Sequence, residues 1–338
     1  MRAYIFRRIA GMGVVLFAIS LITFLLMHAV PGGPFDGEKR LPPDVVRNIN
    51  AKYHLDEPLA AQYLTYMSNI LVPQISQSDA PASQLTDALI AFSVGGTTFH
   101  WMNFGPTYRS TTRTVNDIFR ENLPVSAQLG VLGLLVALAI GLPMGIIAAL
   151  KHNQALDYLA TGVAVAGISF PAIALGPLLI TVFGLTLRWV PVSGWGSFAQ
   201  AILPALTLGF GSSALIARLT RASLLEVIGE DYIRTAYAKG LRDRRVILVH
   251  ALKNALIPVI TIVGPLFAVL VTGSFVVETI FGIPGMGKYF VDSITNRDYP
   301  VIMGTVLLFA MLLVIANFAI DLIYGWLDPR IRFSMGRA

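Results

Sequence analysis

The stretch Gly282-Ile283-Pro284-Gly285-Met286-Gly287-Lys288-Tyr289 comes closest in this chain to a nucleotide-handling motif. A phosphate cradle reads G-x4-G-K-[ST]: backbone N–H groups hold the phosphates, a lysine reaches them, and a small hydroxyl meets magnesium. Here Tyr289 replaces the small hydroxyl, Pro284 removes a backbone donor, and no strand precedes the run. Phosphate binding is therefore rejected. The five histidines, His28, His54, His100, His152 and His250, are scattered and form no metal-ligand spacing. No G-x-S-x-G or comparable nucleophile setting occurs, so an intramembrane hydrolase finds no support. There are no cysteines, hence no disulfide and no thiol chemistry. Asp321 is an acid within an apolar run, and such acids often serve proton relays. One isolated acid supports that weakly. An ion pair with Arg218 or Arg221, or nearness to the inner interface, is the expectation.

The elements that carry these residues are set by hydropathy. The chain has 338 residues, 55% of them hydrophobic and only 13% charged, and its mean hydropathy is +0.69. Soluble domains carry roughly 25% charge, so this composition indicates a polytopic membrane protein. The net charge of +6 collects at the ends of apolar runs, which fits positive-inside topology better than a nucleic-acid surface. The first run, about Ile9 to Val30, follows Arg2, Arg7 and Arg8 and is too long for a signal peptide; it reads as a retained span. Further spans are expected at about Val125 to Leu150, Tyr158 to Leu187, Ala199 to Leu219, Leu256 to Val277 and Val301 to Trp326. Pro124 should open the second, and Gly141, Pro143 and Gly145 could loosen its inner end. Pro171 and Pro177 lie inside the third, as hinges or static kinks. Gly209 to Ala214 in the fourth offers small residues for close helix contact. Six spans place both termini in the cytoplasm, with the tail Asp328 to Arg332 inside.

Residues 31–121 form an extracytoplasmic insert. Two short amphipathic helices are expected over 44–71, with Val45, Ile49 and Tyr53, then Leu59, Tyr63, Tyr66 and Ile70, facing inward. Residues 73–100 read as a mobile loop. The segment 122–328 is the core with five spans, and 329–338 a short tail.

The densest charge after residue 157 lies between Ser223 and Pro258. Basic residues there place the loop on the cytoplasmic side. Asp231 can cap a short helix, Ile233, Ala236 and Tyr237 can share a face, and Gly240 can end it. On physical grounds alone this is either a solvated topogenic loop or a docking helix.

The run from Asp231-Tyr232-Ile233-Arg234-Thr235-Ala236 through Lys239-Gly240-Leu241, then His250 through Pro258, resembles the EAA loop of ABC-importer permeases. It is most similar to the peptide branch (oligopeptide, dipeptide, nickel). Arg234 and Thr235 stand where the general consensus has Glu and Ala, and the peptide branch shares this departure. Pro31 to Phe35 and Ala51 to Leu55 favour the oligopeptide B type. The resemblance implies an all-α integral membrane protein of the type I ABC importer fold, with six transmembrane helices and an insert between the first two. It implies a peptide permease, not itself an enzyme, in the bacterial inner membrane. It implies a coupling loop at about 221–253. There Glu226, Asp231, Tyr232, Arg234, Thr235, Ala236, Lys239, Gly240 and Leu241 would meet an ATP-binding subunit. Glu278, Gly282, Pro284, Gly285 and Gly287 match a permease signature, with a structural role or a part in an outer gate. The implied partners are a second homologous permease, two ATP-binding subunits, an extracytoplasmic peptide-binding protein, peptide and lipid. No cofactor or metal is expected in this chain; ATP and magnesium would be bound by the partners. The alternatives are a dipeptide or nickel permease, or an ion-coupled secondary transporter, which would need inverted repeats and paired intramembrane charges.

Overall fold

The computed structural model describes residues 2–35, 43–77, 88–94, 97–110 and 112–327. The chain forms two compact units: 1–11, 125–287 and 311–338 in one, and 12–124 with 288–310 in the other. The insert is thus not a linear domain of its own. It groups with most of the first helix and with the start of the last.

The second unit contains most of helix α1 (Arg2–Ala29), α2 (Pro43–Lys52) and α3 (Leu59–Leu71). The two short helices expected over 44–71 are present, and Tyr63 and Ile70 are buried. Leu59 is exposed instead; it opens α3 directly after Pro58, where the first turn lies outside the packed stripe. The side chain of Val45 lies outside the described residues, as does the tail from Asp328. Within 73–100 the described residues depart from the expected loop. Strands β1 (Gln74–Gln77), β2 (Ile90–Val94) and β3 (Thr97–Trp101) form an antiparallel sheet in the order β1-β3-β2. Gln74 faces His100, and Phe92 pairs with Phe99, their rings stacked 5.3 Å apart. Short β-branched and aromatic runs among Ser and Gln carry this sheet; cross-strand pairing outweighs the loop-like composition. The small sheet is an exception within a mainly helical chain.

Helix α4 (Val115–Leu150) begins earlier than hydropathy indicates. Thr114 and Asp117 start it reciprocally: the Thr114 N–H donates to Asp117 Oδ2 at 2.9 Å, and the Asp117 N–H donates to Thr114 Oγ1 at 3.2 Å. Pro124 is therefore well inside the helix rather than at its first turn.

In the first unit α4 packs on α7 (Phe198–Ile228) through glycine. A Cβ on Gly141 would lie 2.6 Å from the Ser213 carbonyl oxygen, and one on Gly145 2.5 Å from that of Ala217. From the other side, a Cβ on Gly209 would lie 2.6 Å from the Gly133 carbonyl oxygen. Gly141 and Gly145 bring two backbones together rather than loosening the helix end, which is the small-residue packing of membrane helices.

The expected third span is bent. Helices α5 (Ala155–Ser169) and α6 (Ala172–Leu179) meet at 105° across Pro171, and α6 continues as a π-helix over Ile180–Thr186. Pro171 cannot donate into α5 and disfavours helical backbone at Phe170, so the helix ends at Ser169. The expected fifth span is divided too. α9 (Asp243–Ala255) meets α10 (Ile257–Val271) at 51°, and α10 ends six residues before the expected Val277. Gly273, at φ +102°, and the Ser274 cap turn the chain into α11 (Phe275–Phe281). Helices α12 (Gly287–Thr295) and α13 (Tyr299–Leu327) follow. Among the described residues four helices are long and apolar enough to cross a membrane, and six crossings result if each bent pair counts once. Phe6, Val14, Phe17, Ile22 and Leu26 of α1 are all exposed, as a lipid-facing helix requires.

Candidate functional site

Helix α8 (Asp231–Ala238) is the expected short helix. Its cap is Glu230, one residue earlier than expected. Asp231 sits in the first turn, where a carboxylate favours the positive end of the helix dipole. At the other end Gly240 takes φ +75°. The Gly240 N–H donates to the Tyr237 carbonyl at 2.9 Å and the Leu241 N–H to that of Ala236 at 3.4 Å. This is a Schellman ending, and it needs a residue that tolerates the left-handed region.

One side of α8 is closed. Ile233 is 1% exposed, and with Ala236 it joins Ala149, Leu224, Val246, Ala251 and Ala255 in one apolar cluster, with Leu241 against it. The ends of α4 and α7 and the length of α9 therefore hold the helix down. Ala236 and Leu241 are anchors rather than surface for a partner. Tyr237 leaves the expected inner face and is exposed, four residues past Ile233 but turned beyond the buried stripe.

The other side is open. Asp231, Tyr232, Arg234, Thr235, Lys239 and Gly240 are exposed, and so is Glu226 near the end of α7. Arg234 lies 3.4 Å from Asp231 in a loose surface pair, of the kind worth about 0–1 kcal/mol. Tyr232 Oη accepts from Asn254 Nδ2 at 2.7 Å, tying α8 to α9. Sequence reasoning did not single out Asn254. Nor did it find the π-helix at Val246–Ala251 that carries His250. π-Segments often mark functional positions, but their extra residue leaves no compositional trace.

Beside this region Asp157, 2% exposed, receives Arg221 bidentately: Nε to Oδ1 at 2.6 Å and Nη2 to Oδ2 at 2.8 Å. Arg221 is thus unavailable to Asp321, whose partner is Arg8 of α1. For Asp321 an ion pair with Arg218 or Arg221, or nearness to the inner interface, was expected; a pair forms, but with Arg8, which hydropathy could not reveal.

The residues of the permease signature converge on one carboxylate. Glu278, 3% exposed, accepts from Ser126 Oγ at 2.6 Å and from the Gly287 N–H at 2.7 Å. Ser126 Oγ accepts in turn from the Met286 N–H at 2.7 Å. A Cβ on Gly285 would fall 2.4 Å from Glu278 Cδ, and one on Gly287 2.7 Å from Oε2. Gly282, at φ +63°, ends α11. The glycines clear room for a buried carboxylate, and no phosphate cradle forms. Ser126, on α4, was missed because 152 residues separate it from Glu278.

Among the described residues no cluster of three or more His, Asp or Glu side chains could hold a metal. Helix α8 is thus packed on one side and exposed on the other. Two family models match the chain. The binding-protein-dependent transport system inner membrane component matches residues 141–333, and the N-terminal membrane component of the same systems matches residues 1–87. The chain belongs to this family. The dipeptide transport system permease protein DppB of Bacillus subtilis (strain 168) is 44% identical over 332 residues, covering 98% of each chain. The oligopeptide transport system permease protein OppB of Salmonella typhimurium is 40% identical over 335 residues, covering 98% of this chain and 100% of its own. Both branches match at comparable identity, so the assignment stands at the joint oligopeptide/dipeptide level rather than the oligopeptide B type. An inward-facing structure of the MetNI methionine ABC transporter shares the fold, with TM-score 0.52 and 18% identity over 62% of this chain and 96% of its own. This binding-protein-dependent permease is a multi-pass inner-membrane subunit of an ATP-driven importer and is not itself catalytic.

Proposed function

We propose that this permease admits peptides and is driven through the outer face of α8. The anchored helix with Asp231, Tyr232, Arg234, Thr235 and Lys239 exposed carries this reading. A cytoplasmic ATP-binding subunit grips that face. Because Ile233, Ala236 and Leu241 are packed on the ends of α4, α7 and α9, displacement of α8 displaces the helices beneath it. Glu226 and Gly240 complete the surface. ATP and magnesium bind in two such subunits; a second homologous permease forms the other half of the path, and an external binding protein delivers peptide. Each ligand shifts the equilibrium only by its preference for one state. Both termini are cytoplasmic and the two bent pairs each cross once, giving six spans. The rigid turn built by Glu278, Gly282, Pro284, Gly285 and Gly287 supports the outer gate.

The absence of cysteine gives a clean background for the test. Thr235→Cys, paired with single cysteines on the ATP-binding subunit, should cross-link in the assembled transporter, with a yield that changes on ATP binding. Failure of every pair, with uptake intact, would remove α8 from the interface.

A further inference from the structure

The second unit encloses a cavity of about 210 Å³. Its wall is aromatic: the Tyr53 and Tyr108 rings are 4.7 Å apart, and Tyr299 is 6.3 Å from Tyr108 and 5.0 Å from His28. Its polar groups include the His28 and His54 rings and the side chains of Gln62, Thr65, Tyr66 and Asn69. His28 Nδ1 lies 2.8 Å from the Phe24 carbonyl and must donate to it, which leaves Nε2 of the neutral ring as an acceptor. His54 Nδ1 engages Glu57 Oε1 at 2.8 Å. The Tyr66 hydroxyl, which also belongs to the wall, is buried without a hydrogen-bond partner. Among the described residues no lysine or arginine lines the space. Behind it, Asp298 accepts from the Tyr108 N–H at 3.2 Å. Electron-rich ring faces, the unpartnered Tyr66 hydroxyl and a nearby carboxyl group favour a positively charged guest.

We propose that this cavity binds a primary ammonium group carried on a short aromatic or apolar stem. The ammonium donates to Tyr66 Oη and lies against the Tyr53 and Tyr108 faces, while the stem fills the space beside Phe24 and Phe104. A cavity of about 150 Å³ admits benzene, so this one suits a phenethylamine-sized guest. Such a group could come from a free amine or from the amino terminus of a peptide. Binding of an amine here does not depend on the transport reading.

The test uses the full chain in nonionic detergent and titrates phenethylamine against 2-phenylethanol by ligand-observed NMR. The amine should bind on the order of tenfold more tightly than the alcohol. Tyr66→Phe, a change that preserves shape, should weaken the amine severalfold and leave the alcohol nearly unchanged, and Tyr108→Leu should abolish the preference. Competition by phenylalanyl-alanine but not its N-acetyl form would assign the site to peptide termini. Phenethylamine binding without that competition would assign it to free amines. Equal binding of amine and alcohol, or no binding of either to monodisperse protein, would overturn the proposal, the latter leaving a water-filled cavity.

Discussion

Gly285 and Asp298 illustrate how much single side chains decide. A methyl group at Gly285 has no room beside the Glu278 carboxyl, and relief requires moving a carboxylate held by Ser126 and the Gly287 N–H. Gly285→Ala should therefore cost roughly 1–3 kcal/mol, read as a lowered Tm in detergent, whereas Gly11→Ala, with open space around it, should change little. Asp298 is buried, and desolvation raises its pKa above the usual carboxylate value despite hydrogen bonds from Thr107 and the Tyr108 N–H. A raised folded-state pKa means that the native protein holds this proton more tightly than the unfolded chain. Its stabilising contribution is complete below the unfolded pKa of about 3.9 and is lost as pH rises through the folded value. Asp298→Asn should accordingly flatten the fall in stability on the alkaline side of about pH 4, as measured by Tm against pH; an unchanged slope would contradict this. Burial first, then the Asp298 charge, pushes the Tyr108 phenol upward.

At the scale of elements, α8 divides into an inner and an outer face with different expected sensitivities. Ile233→Ala removes a fully packed side chain from the cluster beneath it, at a cost of about 2–5 kcal/mol, and should lower both Tm and stimulated ATPase. Arg234→Glu, on the exposed face, should leave Tm within about 0.5 kcal/mol-equivalent of the parent while reducing stimulated ATPase in the assembled transporter. Equal loss of stability in the two variants would argue against this division. Deleting 231–240 would confound the two effects, since the helix fills part of the core. The helix was legible from its Gly240 stop and its apolar spacing. The cap position, the exposure of Tyr237 and the π-segment after Arg245 were not, because each depends on which neighbours the helix meets.

For the whole molecule, the bends and helix ends set the path of the chain across the bilayer. Hydropathy located apolar runs well, and α1, α4, α7 and α13 contain them. It could not reveal the 105° bend at Pro171 or the early end of α10, since an apolar segment satisfies a hydropathy window whether straight or folded back. Single-cysteine variants decide the sidedness. Asn48→Cys in α2 and Lys239→Cys beside α8, both exposed, should react with a membrane-impermeant maleimide from opposite faces of oriented vesicles. Reaction from the same face would refute the proposed topology.

Composition and spacing by themselves determined that this is a membrane protein, where its apolar runs lie, and where a short helix falls between Asp231 and Gly240; the tie of that helix to a permease came from the resemblance. These follow from properties local along the chain: the transfer cost of side chains and the backbone preferences of Gly and Pro. Only the tertiary structure decided that Arg8, not Arg218 or Arg221, meets Asp321. The same holds for the Ser126 contact that seats Glu278 and for the sheet formed by a loop-like stretch. Those outcomes pair groups far apart in sequence, and electrostatics and packing act on distance in space rather than on position along the chain.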